Sequence, residues 1–420
     1  MPPPVRLFVG VFVLALVPRL CVLAFSGPRA IEIWEYDGLG SSIAAGHGYA
    51  ILHWGRTSLA FGDGNLYSFL SGVLYAAVGH QPLVLAVVQA VIASLAVPVI
   101  YAIGERSLGR SIALMGAGLA ALHPGLLAYT LKLHPLGLDV LLLALLVIWV
   151  RQIGGRRRDG VIAGIVLGLN LMSRPTYFLA GLVGLAMRWR TLRWHFAPPL
   201  LAVAVSLAIA GPWIGRNWVL LGRPIFISTG LEDVWKGNNP AATGSSYLAS
   251  GQEVFTVMPV AMQVRLGAAN ELELNDVFGS EVLSFVREQP LQFVSLSAQK
   301  FVFFWWFSPQ SGMFYPPPWL SMYQVYAAFV LSFAVLGGLY ISRAGSAEAR
   351  GLLSLLVTIS LTISVAHALT YVEGRHRWGI EPLLLLLTAQ GAAVAARYLR
   401  GFARISHTYV TTRRASRSIE

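Results

Sequence analysis

Three carboxylates stand within six residues of one another: Glu32, Glu35 and Asp37. They come directly after the first long apolar run. A carboxylate at a membrane boundary can take the proton of a hydroxyl or amine as that group attacks, which is general-base chemistry. A solvated acidic loop is the bland alternative. Four arginines, Arg174, Arg216, Arg375 and Arg377, stand at the ends of other apolar runs. A guanidinium is a planar fork of donors that suits phosphate. Snorkelling to headgroups, or pairing with Glu373 and Glu381, accounts for them as well. Lys132, His134 and Asp139 surround a turn marked by Pro124 and Pro135. Asp139 opens an apolar run, where it could cap a helix or complete a polar cavity with Lys132. His47, His53 and His134 lack metal-ligand spacing, and Cys21 is the single cysteine. No cofactor is expected; a divalent ion between the first-loop acids and a distant histidine has no support in the pattern.

Helices in a bilayer must position these residues. The chain has 420 residues, 56% hydrophobic and only 12% charged, against about 25% charged in an ordinary soluble domain. Mean hydropathy is +0.64. That excludes a soluble enzyme and a disordered chain. It also excludes a nucleic-acid binder, despite the net charge of +12. The reading is an all-α polytopic membrane protein with about ten spans, nine to twelve at the limits. Candidate spans are 7–25, 83–103, 112–128, 136–150, 161–173, 176–187, 197–214, 325–341, 351–369 and 382–396. The 161–187 pair is short for two crossings and could be one broken span. The first run is too long for a signal peptide and is read as a retained span.

Lys and Arg set the orientation. With a cytoplasmic N-terminus, eighteen of the 31 fall in the short inner segments, which carry net +14 and leave −2 elsewhere. Four parts follow. Residues 1–214 form an N-terminal membrane module that includes a first outer loop, 26–82. Residues 215–324 form a large outer loop, 325–396 the last spans, and 397–420 a basic cytoplasmic tail. The stretches 66–79 and 293–307 are expected to lie along the surface. Phe293, Leu296, Lys300, Phe304 and Phe307 are spaced as on one face of an amphipathic helix. The aromatics of 305–307 and 314–319 read as an interfacial belt, or as a wall for a polyprenyl tail.

Six motifs in order resemble a known family. They are Glu35-Tyr36 with Ile43-Ala44-Ala45-Gly46-His47-Gly48-Tyr49; Asn65-Leu66-Tyr67-Ser68-Phe69-Leu70; Ser173-Arg174-Pro175; Gly211-Pro212-Trp213-Ile214-Gly215-Arg216-Asn217-Trp218; Ile227-Ser228-Thr229 with Trp235-Lys236-Gly237-Asn238-Asn239-Pro240; and Gly374-Arg375-His376-Arg377 through Glu381-Pro382. Together they resemble the bacterial GT-C glycosyltransferases that use polyprenyl-phosphate sugars, related to protein O-mannosyltransferases and aminoarabinose transferases. The resemblance implies a GT-C-like helical bundle with juxtamembrane helices in the outer loops. It implies an inverting transfer from a polyprenyl-phosphate sugar to a cell-envelope acceptor, on the outer face of a bacterial inner membrane. The base would be Glu35 first, then Asp37, then Glu32. The donor phosphate would meet Arg216, then Arg375, Arg377 and Arg174. Tyr36, Lys132, His134, Asp139, Trp235, Asn238 and Glu373 would line the pocket. The family's usual Pro-Pro is replaced by Gly64-Asn65. A flippase of lipid-linked sugars is the alternative reading, and a scaffold subunit without chemistry is a third.

Overall fold

The computed structural model describes residues 5–154, 156–191, 196–310 and 316–417, with the side chains of 190, 191 and 402–417 excepted. Each of the ten apolar runs is helical. The helices are α1 Val5–Ser26, α4 Pro82–Leu108, α5 Arg110–Ala121 with α6 Pro124–Ala128, α7 Leu136–Gln152, α8 Arg157–Ser173, α9 Pro175–Thr191, α10 Ala197–Leu221, α15 Pro317–Ala344, α16 Ala347–Leu369 and α18 Glu381–Arg417. Six of them are long and apolar enough to cross a bilayer unaided: α1, α4, α10, α15, α16 and the first part of α18. A seventh crossing arises if the pair α5–α6, bent by 41°, counts as one span. Helices α7, α8 and α9 have 17 residues each. At 1.5 Å per residue they are about 26 Å long, short of a full hydrocarbon core. Ten helical runs therefore stand, with six or seven full-length crossings among them.

The doubtful 161–187 stretch is two helices. Pro175 follows Arg174, and a residue before proline is pushed out of the helical region. Arg174 is accordingly extended, with φ −151° and ψ 105°. Small residues bring the helices together. On α8, Gly160, Gly164 and Gly168 lie four residues apart and face α10. A Cβ there would come within 2.5 Å of the Pro198 oxygen, 2.6 Å of the Ala202 oxygen and 2.8 Å of Ile209 respectively. The main core joins α4, α5, α7, α16 and α18, with Leu143, Val147, Leu352, Ile359 and Leu385 almost wholly buried.

Connections at the two ends of the bundle differ in kind. At one end, Arg151 meets Glu348 at 2.8 Å and Arg188 caps Ile153. This is the arginine-rich end. The other end carries two interlocked lobes. The first holds α2 Glu35–Ala44, a hairpin of β1 Ile51–His53 and β2 Arg56–Ser58 paired antiparallel, and α3 Asn65–Val78. The second holds α11 Gly230–Lys236, α12 Val260–Ala268, α13 Glu271–Glu288 and α14 Pro290–Trp305, around Trp235, Met262, Leu266 and Phe278. Glu271 joins the lobes. It accepts from Ser58 and Ser228 at 2.7 Å, and from the backbone N–H of Leu59 and Ala60 at 2.8 Å.

Both stretches expected to lie along the surface are helices that pack one face on protein. Helix α3 buries Tyr67, Ser68, Ser71 and Tyr75, with α2 packed against it. Helix α14 packs on α16 and buries Leu296, Lys300 and Phe304, while Leu291, Val294 and Val302 stay exposed.

Candidate active site

A cavity of about 220 Å³ opens between the two lobes and the bundle end beneath them. Its walls come from the start of α2, the loop before α3, the α8–α9 break, α11, and the segment from the end of α16 to α17 Gly374–Trp378.

Glu35 is the first residue of α2 and lines this cavity. Burial raises its carboxyl pKa; its own backbone hydrogen bond and the nearby Arg375 oppose that. Asp37 sits two residues on, about 200° around the helix. It therefore points away, where it accepts from the Tyr75 hydroxyl and meets His80 Nε2 at 2.9 Å. Glu32 precedes the helix, is exposed, and pairs with Lys132. One acid of the three opens onto the cavity. Tyr36 and His134 also line it. His134 Nδ1 accepts from the Leu136 N–H at 3.1 Å, so the neutral ring carries its proton on Nε2. Burial, then nearby cations, hold this imidazole well below its usual pKa.

Three cations line the cavity, each already paired. Arg174 Nε donates to Asp139 at 2.8 Å, and its Nη1 lies 3.3 Å from Asp63. Asp139 is thus a buried partner within α7, where it also accepts from Ser173 at 2.6 Å; it neither caps the helix nor meets Lys132. Arg375 pairs with Glu373 and lies 5.1 Å from the Trp34 ring. Lys236 donates to Asp233 at 2.8 Å.

The other expected residues stand outside the cavity. Arg216 donates to the carbonyls of Leu59 at 2.7 Å and Tyr49 at 3.0 Å, with Trp213 beneath its plane. It holds the loop that carries Asp63. Arg377 is buried against Glu381 at 3.0 Å and the Trp305 carbonyl at 2.7 Å. Trp235 sits in the lobe core. Asn238 is buried behind the wall, and Glu373 is reached through Arg375.

Sequence reasoning passed over Asp63, Glu232, Asp233, Lys236, Tyr371, His367 and His376, all of which line the cavity. Several lie next to residues it chose: Lys236 follows Trp235, and His376 stands between Arg375 and Arg377. The motifs were located; adjacent helical residues differ by about 100° in direction, and nothing in the sequence says which one faces inward. His367 and His376 stack with ring centres 4.0 Å apart. Among the described residues, no three His, Cys, Asp or Glu side chains converge as a metal site.

Residues 65–217 match the family model described as dolichyl-phosphate-mannose-protein mannosyltransferase. No curated protein sequence matches the chain. Among solved structures, the archaeal oligosaccharyltransferase AglB from Archaeoglobus fulgidus, in complex with an inhibitory peptide and a dolichol-phosphate, is 14% identical. The match covers 96% of this chain and 52% of that one, with a TM-score of 0.51. The apo form of the Archaeoglobus fulgidus oligosaccharyltransferase gives 14% and 0.52 over the same shares. ArnT from Cupriavidus metallidurans, bound to undecaprenyl phosphate, is 15% identical over 93% of this chain and 78% of that one, with a TM-score of 0.43. The chain spans about half the length of the oligosaccharyltransferases it matches. Of the six motifs, those at 65–70 and 173–175 and nearly all of 211–218 fall within the residues that the family model matches, and the fold is shared with the oligosaccharyltransferases over nearly the whole chain.

Proposed function

We propose that this protein is an integral membrane glycosyltransferase that moves a sugar from a polyprenyl-phosphate carrier to a cell-envelope acceptor. One observation carries the reading: a single cavity at one end of the bundle is lined by the buried carboxylate Glu35 and by Arg174, Arg375 and Lys236. The family description over 65–217 and the dolichol-phosphate held by AglB support a polyprenyl-phosphate donor.

In this reading the acceptor oxygen attacks the anomeric carbon and loses its proton to Glu35. The bond from that carbon to the phosphate oxygen breaks. The phosphate leaves with the electron pair and with the lipid, and the configuration inverts. Developing negative charge on the leaving phosphate is met by preorganised donors. That role falls to Arg174, Arg375 and Lys236, which line the cavity, rather than to Arg216 or Arg377, which do not. The arginine-rich end would face the cytoplasm of a bacterial inner membrane, with the cavity on the outer side.

The test uses isolated protein with a polyprenyl-phosphate hexose and a panel of envelope acceptors: glycolipid, polysaccharide and peptide. Sugar transfer to any of them supports the reading. Binding or translocation of the donor without transfer would establish the carrier alternative instead.

A further inference from the structure

Lys300 lies in α14, fully buried and outside the cavity. Its Nζ donates to the Gly237 carbonyl at 3.0 Å, to Asn238 Oδ1 at 2.7 Å and to the Thr370 carbonyl at 2.9 Å. An ammonium has three donors, and all three are used. None goes to a carboxylate among the described residues. The acceptors belong to the two segments whose neighbours face the cavity: Lys236 precedes Gly237, and Thr370 and Tyr371 are themselves lining residues.

The backbone makes room for this arrangement. A Cβ on Gly237 would run into the Thr370 carbonyl oxygen, and one on Gly244 would stand 2.9 Å from the Lys300 stem. Gly244 also has φ +88° and accepts from the Val372 N–H at 2.9 Å. A buried ammonium without a counter-ion is expensive to hold, and an apolar side chain of equal length would fill the same space. Burial alone brings its pKa down to about 7.

The cavity supplies a reason for the charge. Glu35, Asp63, Glu232 and Asp233 line it against Arg174, Arg375 and Lys236, with Asp139 and Glu373 paired behind. Carboxylates outnumber cations there, yet the proposed donor is an anion. We infer that Lys300 is a positioning residue of the donor site: its buried ammonium ties the α11 turn to the 370–373 segment, and its charge, matched by no carboxylate among its hydrogen-bond partners, offsets the acids of the cavity and so favours the donor phosphate there. This rests on the donor reading above.

The test is binding of a polyprenyl monophosphate to purified full-length protein. Lys300→Met should bind it about tenfold more weakly, and Lys300→Arg should retain affinity. Wild-type affinity should fall from about pH 6 to about pH 9 as the lysine loses its proton, and that of Lys300→Arg should not. Other titratable and charged groups near it on the packed elements are Glu232, Asp233 and Lys236 of α11, His367 of α16, Tyr371, Glu373, Arg375, His376 and Arg377 in and before α17, and Glu271, Glu273, Asp276, Glu281, Arg287 and Glu288 of α13. They are common to both proteins and cancel in the comparison. The second ionisation of the phosphate strengthens binding as pH rises, against the expected trend. Wild-type protein that binds no polyprenyl phosphate would remove the donor reading. Wild-type binding matched by Lys300→Met would overturn the role of Lys300 alone. Should Lys300→Met fail to fold, wild-type and Lys300→Arg profiles that run parallel would overturn it too.

Discussion

At the scale of the residue, Glu35 and Asp37 share one short helix and have opposite surroundings. Glu35 faces the cavity with a raised pKa; Asp37 is held by Tyr75 and His80 on the far face. Glu35→Gln should lower turnover by about 10²- to 10⁴-fold, the usual weight of a general base, with donor affinity unchanged. Asp37→Asn should leave turnover within a few-fold and lower the melting temperature, because buried partners lose their hydrogen bonds. Rates and melting curves of the two variants check both; full activity in Glu35→Gln discards Glu35 as base. The pH profile follows from the direction of the shift. A base must be ionised, and burial raises the pKa of this one. Activity should therefore rise with pH along an acid limb displaced above the ordinary carboxylate value of about 4.3, and Glu35→Asp should move that limb. The acid cluster was legible from spacing alone. Which acid faces the site was not, since that depends on where α2 begins and what packs behind it.

At the scale of the element, the site is built from breaks in helices. Pro175 ends α8 at Arg174 and turns its guanidinium toward Asp139 and Asp63. The Ser173-Arg174-Pro175 motif announced that break; the two carboxylates lie 35 and 111 residues away in the chain and could not be read from it. Helix α8 is held in place by close approach to α10. Gly164→Val should force the two apart, since even a Cβ meets the Ala202 oxygen at 2.6 Å. Overpacking of this kind typically costs about 1–3 kcal/mol. A drop in the unfolding temperature of the detergent-solubilised protein, together with weaker donor binding through a displaced Arg174, is the expected result. Unchanged stability would show that the contact relaxes. Helix α14 makes the same point from the other side. Its period was visible, but its neighbour α16, on which Leu296, Lys300 and Phe304 are buried, was not.

At the scale of the whole molecule, charge is sorted between two ends. Arg151 pairs with Glu348 and Arg188 bonds the Ile153 carbonyl at one; Glu35, Asp63, Arg174 and Arg375 line the cavity at the other. In a Cys21→Ser background, an impermeant thiol reagent added to intact cells should label Leu52→Cys on the exposed hairpin. It should spare Arg157→Cys at the start of α8. The reverse pattern would invert the orientation and move the reaction to the inner face. Composition by itself determined that the chain lives in a bilayer, because so apolar a sequence with so few charges has no other solvent. Periodicity determined where its helices run, and the arginine bias which end is rich in arginine, because both are local properties of the chain. Only the tertiary structure decided which side chain of each motif enters the cavity. That choice depends on helix rotation and on partners far away in sequence: Asp63 for Arg174, Glu32 for Lys132, and Thr370 for Lys300. The same packing withdrew Arg216 and Arg377 into structural roles and brought Lys236 forward, because a buried charge goes to the acceptors that the fold supplies.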